Sequence, residues 1–201
     1  MSSSSSSKRH SILPPISQAG PKAPVSFSSS ILVADSAILT GSHPISVSSE
    51  SVIHPRARLD SLGGPVAIGR RCIIHERTSI GAAPPGPPPV GGGGEAGVTL
   101  GDYVTVEVGA VVETGGTVLG EGSVVGVGCR VGKGAVIGKY CTLTPQTKIA
   151  AGEKVPDYTV VYSNNLRRLD KRGVPELRIK GQARQIEVLR RLIPSNPSKF
   201  Q

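Results

Sequence analysis

From residue 119 the chain places an aliphatic residue at every sixth position: Leu119, Val125, Val131, Ile137, Leu143, Ile149, Val155 and Val161. Gly follows four of them, at Gly120, Gly126, Gly132 and Gly138, and small residues stand four places after the first five, at Ser123, Cys129, Ala135, Cys141 and Thr147. This is the hexapeptide rhythm of a parallel β-helix. Each hexad supplies a short strand and a turn, and three hexads close one triangular coil. The aliphatic residue points into the prism, a small residue sits where the chain turns the corner, and Gly serves where the backbone must open.

The same rhythm runs upstream with breaks. Leu100, Val106, Val112 and Val118 form one run, Ile68, Ile74 and Ile80 another, Val47, Ile53 and Leu59 a third, and Val33 and Leu39 a fourth. Residues 31–165 therefore read as about six stacked coils, each burying its face on its neighbours. Insertions should leave from the corners. The largest is a loop over 82–97, whose Pro84–Pro89 and Gly91–Gly94 runs cannot supply ladder strands. After Val161 the period changes: Ala183, Ile186, Leu189 and Ile193 are spaced by three and four, and Pro194 stops the pattern, which predicts a helix over 182–193 with its apolar stripe on one flat face of the prism. Pro175 stands near its start, and Gly181 weakens the first turns.

Composition narrows the function. The chain has no Trp and only 3% aromatic residues, which disfavours a core built on large rings. The net charge of +9 belongs to the ends: residues 31–165 sum to −1, residues 1–30 to +3 and residues 166–201 to +7. A neutral body without stacking aromatics argues against nucleic-acid binding. Residues 1–30, with 12 Ser and 4 Pro, read as a disordered tail. Its lack of acids also fits a mitochondrial transit peptide, but no Arg-rich amphipathic period is visible. No apolar run reaches membrane-spanning length, and nothing resembles a secretory signal.

Three histidines stand in the body: His43, His54 and His75. The segments Ile53-His54-Pro55-Arg56-Ala57 and Ile74-His75-Glu76-Arg77-Thr78 repeat after 21 residues, which places His54 above His75 and Arg56 above Arg77 on adjacent rungs, facing outward. Such a ladder is either an anion or docking strip, or a pair of solvated positions copied by the repeat. Cys72, Cys129 and Cys141 occupy the small corner position without C-x-x-C spacing, as reduced core thiols do.

Hexapeptide β-helices occur as acyltransferases, γ-class carbonic anhydrases and non-catalytic assembly subunits. The chain resembles the carbonic anhydrase family over Ile68–Gly81 and Leu100–Glu113, but the family's three zinc histidines fall on Gly81, Val108 and Glu113. A more specific resemblance rests on Ser51-Val52-Ile53-His54-Pro55-Arg56-Ala57-Arg58, on Gly64-Pro65-Val66-Ala67-Ile68-Gly69, on the Pro-rich insertion, on Val155–Tyr162 followed by Leu166-Arg167-Arg168, and on Leu189–Pro194. These motifs are similar to those of the dynactin subunit 6 family, in a fungal-like variant. That resemblance implies a left-handed parallel β-helix with no catalysis, metal or cofactor. It also implies a cytoplasmic, cytoskeletal location, pairing with dynactin subunit 5 in the pointed-end complex, and support of dynein-driven transport and cargo docking. Under it the expected partner contacts are His54, Arg56, His75, Arg77, Arg167, Arg168, Arg190 and Arg191, with the first coil (Val33, Leu39, Ile45) or the last (Val155, Val161, Tyr162) meeting the sister subunit. The competing expectations are a hexapeptide-repeat acyltransferase that binds acetyl-CoA as a homotrimer and requires His43 or His75, and a degenerate carbonic-anhydrase-like protein.

Overall fold

The structure, a computed structural model, describes residues 21–84, 96–173 and 175–200. Within them the chain is a left-handed parallel β-helix of about six turns carrying a C-terminal helix. Successive strands fall in rotation onto three sheets of seven, eight and six strands, in which each strand of the coils pairs in parallel with the equivalent strand of the next coil. Pairs such as Ile53↔Ile74↔Val106↔Val125↔Leu143 stack the inward aliphatics of consecutive coils on one another. Ile53, Leu59, Ile74, Ile80, Leu119 and Val125 are wholly buried in one continuous core. Each such residue contributes about 1.5–3 kcal/mol, so stability is spread along the axis.

The corners follow the pattern of small residues. Cys72, Ala110, Cys129, Ala135 and Cys141 are fully buried at turns, and burial pushes the Cys72 thiol up to about 12. One column of turn residues, Glu50, Arg71, Tyr103, Gly122, Tyr140 and Tyr158, adopts positive φ on every coil. A second such column contains Arg56 and Arg77.

Four features depart from the sequence expectation. Strand Val25–Phe27 pairs with Ile45–Val47, so the solenoid begins inside the segment read as tail. Of the 1–30 stretch, residues 1–20 lie outside the described residues, as do 85–95 of the 82–97 loop. The helix, α1, spans Pro175–Leu192 and starts a full seven residues earlier than the periodicity suggests. Nothing crowds Gly181, and packing of the helix on the prism overrides the propensity cost of a glycine there. Finally, the chain adds one more strand after the hexapeptide period ends at Val161: Arg167–Leu169 pairs antiparallel with Thr159–Val161 and covers the edge left by the last coil.

Helix α1 lies on the outer face of that sheet. Ile186, Leu189 and Ile193 pack on Leu32, Val52 and Ile73, the outward neighbours of the inward aliphatics. Beyond α1 the chain reaches the first coil, where the amide of Val33 donates to Ser195 Oγ (3.0 Å) and the amide of Asn196 donates to the Val33 carbonyl (3.0 Å). Phe200 then joins the core beside Ala23 and Val25. The open end of the first coil is thus covered by this chain's own C-terminal segment. Among the described residues no helix is long and apolar enough to cross a membrane.

Candidate functional site

One outward column carries most of the chemistry. Because Ile53, Ile74 and Val106 are in register, the residues that follow them, His54, His75 and Glu107, stand on three consecutive rungs. Their backbones are fixed by the ladder: the amides of His54, His75 and Glu107 donate to the carbonyls of Ile74, Val106 and Val125 at 2.9, 2.8 and 2.8 Å. The two imidazoles stack with centroids 4.7 Å apart and planes at 28°, the spacing of adjacent strands. His75 Nε2 lies 3.8 Å from Glu107 Oε2.

The two imidazoles are sheltered. His54 is only 8% exposed, and the Nε2 atoms of both rings are buried without a hydrogen-bond partner. They flank the stripe of Val52 and Ile73 on which α1 packs, and this shelter is what a sequence reading of outward residues lacks. Burial drives the His54 pKa down to about 4, the neighbouring His75 pushes it the same way, and Glu76 opposes them. His54 is therefore neutral at pH 7.

Glu107 is the residue the sequence reading missed. It stands 32 residues after His75, because the 82–97 insertion separates two adjacent rungs, whereas the 21-residue repeat exposed the histidine pair. Glu107 also lines a cleft of about 350 Å³ beneath the first half of α1, together with Tyr103, Thr105, Tyr140, Thr142 and, from the helix, Arg178, Gln182 and Gln185. The Thr142 hydroxyl is buried there without a partner. A carboxylate backed by an imidazole, facing a walled cleft with unsatisfied polar groups, can bind and move a proton.

The other candidates are scattered. His43 sits in the turn between strands Ile38–Gly41 and Ile45–Val47, a different corner, with Nδ1 2.8 Å from the Ser61 carbonyl. Arg56 and Arg77 are exposed at positive-φ corners. Arg167 pairs with Glu153, Arg190 donates to the Ser30 carbonyl at 2.9 Å, and Arg191 contacts Glu187 at 3.4 Å. Arg168 lies on the exposed added strand. No single surface gathers these arginines with the histidines.

The positions equivalent to zinc histidines are occupied otherwise. Val108 is exposed, and Glu113, buried, accepts from Arg130 Nε at 2.9 Å and from the Lys133 amide at 3.1 Å. Among the described residues no group of three His, Cys, Asp or Glu side chains is arranged to hold a metal ion.

No protein-family model matches the sequence, and no curated protein matches it. The fold is shared with solved structures. A hexapeptide transferase family protein from Anaplasma phagocytophilum is 17% identical with a TM-score of 0.68, over 84% of this chain and 95% of its own. A Bacillus cereus protein put forward as an acetyltransferase is 20% identical with a TM-score of 0.66, over 82% of this chain and 92% of its own. At these identities the likeness establishes the fold. The expectation of a non-catalytic dynactin subunit is corrected on this point: the solved structures of this architecture carry transferase names, and nothing in the comparisons points to dynactin. The companion expectation that the chain is not an enzyme falls with it.

Proposed function

We propose that the chain is a hexapeptide-repeat acyltransferase that moves an acyl group from a thioester donor to an amine or hydroxyl acceptor in the cleft under α1. The observation that carries this reading is the Glu107–His75 pair at 3.8 Å, with Glu107 on the cleft wall and His75 behind it. The names borne by the fold's neighbours supply the reaction class.

In this reading the acceptor's N–H or O–H donates to the Glu107 carboxylate. As the acceptor attacks the thioester carbonyl, its proton passes to Glu107. The tetrahedral intermediate then collapses, the carbon–sulfur bond breaks, and the departing thiolate takes that proton to leave as a thiol. His75 is a positioning residue, holding the carboxylate toward the cleft. The neutral His54 stacks on the His75 ring.

The test is thiol release from acetyl-CoA with a panel of amine and hydroxyl acceptors. Activity above buffer is expected with at least one acceptor, and Glu107→Gln should lower kcat by about 100-fold, the usual worth of a positioned general base. His75→Gln should lower kcat less and shift the pH profile while leaving KM near the parent value. No acceptor-dependent release across the panel sinks the reading, as does full activity of Glu107→Gln.

A further inference from the structure

A second cleft lies on the far side of Tyr140 and Arg178 from Glu107. It encloses about 320 Å³ and is walled by Tyr140 and Tyr158 from the prism, by Leu169, Asp170, Lys171 and Gly173 from the added strand and its exit, and by Pro175 and Arg178 from the start of α1. Its volume is that of a small-ligand site. The wall is mainly aromatic: the Tyr140 and Tyr158 rings stack with centroids 5.5 Å apart and planes at 16°. Tyr158 is still 42% exposed and Leu169 54% exposed, so the strand that crosses here does not cover them.

The turn does not call for rings at these positions. The same left-handed conformation is taken on other coils by Glu50, Arg71 and Gly122, without an aromatic side chain. At Gly122 the missing side chain matters, since a Cβ there would lie 2.4 Å from the Tyr140 ring. Gly122 thus leaves Tyr140 room to lie along the column.

The charges are also arranged. The single acid of the wall, Asp170, is already engaged: Arg172 donates to it at 2.8 Å through both Nε and Nη2, and Arg178 Nη2 donates at 3.1 Å. These hydrogen bonds hold its carboxyl well below the usual range. Lys171 has no ion-pair partner among the described residues, which leaves the rim with an excess of positive charge.

We propose that this cleft binds a small planar aromatic anion, its ring stacked on Tyr158 and Tyr140 and its negative group facing Lys171. The proposal does not rest on acyl transfer: the two clefts share only Tyr140 and Arg178, and the residues varied below, Tyr158 and Lys171, line this cleft and not the one at Glu107. The probe is 1-naphthoate, followed by the tyrosine ring resonances. Saturable shifts confined to Tyr140 and Tyr158 are expected. Cyclohexanecarboxylate, with the charge but no π-face, should bind at least about tenfold more weakly. Tyr158→Leu, with folding checked by the urea midpoint, should weaken 1-naphthoate by about tenfold, and Lys171→Gln by about threefold with loss of salt sensitivity. The proposal is overturned if 1-naphthoate gives no saturable response, if the aliphatic carboxylate binds equally well, or if Tyr158→Leu binds as the parent does.

Discussion

Gly81→Ala will cost the protein about 4 kcal/mol or more, enough to remove most of the folded population of a marginally stable domain. Gly81 lies in strand Ser79–Ala82 with φ +82°, and a Cβ there would stand 1.9 Å from the Asp60 carbonyl oxygen and 3.0 Å from its carbon. The obstacle is backbone on the adjacent rung, so relief requires parting two coils. An unfavourable φ adds about 1–3 kcal/mol to that overpacking. Gly152→Ala is the matched control: its φ is +70° and nothing lies within 4 Å, so it should cost only about 1 kcal/mol. The measurement is the urea midpoint of both variants against the parent. Equal shifts for the two would defeat the argument. The same contact explains why the carbonic-anhydrase pattern cannot be restored by mutation, since position 81 accepts no side chain, and an imidazole least of all.

The architecture was legible because its cause is local. An inward aliphatic every sixth residue and a small residue at the corners are direct consequences of a three-sided coil: the aliphatics run unbroken from Leu119 through Val161, and the small residues from Ser123 to Thr147. The site was legible only in part. The His54–His75 pair emerged because its two rungs differ by a short insertion, whereas Glu107 was hidden behind a long one, although it occupies the same column. What no periodicity carries is the outer layer. Helix α1 packs over the column's edge, Arg167–Leu169 folds back on the last coil, and Phe200 caps the first coil from the opposite end of the chain. These are contacts between segments remote in sequence, and they turn positions that face outward into buried ones. His54 and His75 face outward in the repeat, and their buried, unpartnered Nε2 atoms show that direction and exposure are separate properties.

That burial makes the fold sensitive to acid in a defined window. His54 titrates near its ordinary 6.5 when the chain is unfolded and at about 4 when folded, because burial and the neighbouring His75 disfavour its charged form. Between these values the unfolded chain binds a proton that the native state refuses. Stability contributed by the neutral His54 is therefore complete above about pH 6.5 and is lost as the pH falls toward 4, amounting to about 3 kcal/mol over the window. Carboxylates elsewhere also titrate there, so the parent curve alone is not diagnostic. The comparison is with His54→Gln, which removes this group and leaves the others: its unfolding free energy, measured in urea at pH 7 and pH 4.5, should fall by about 2–3 kcal/mol less than the parent's. His75→Gln provides the second arm. Without the adjacent imidazole one of the two causes is gone, and the acid loss should shrink while remaining larger than in His54→Gln. Parallel pH dependence in the parent and His54→Gln would mean that the ring is protonated in place and that the stacked pair tolerates charge.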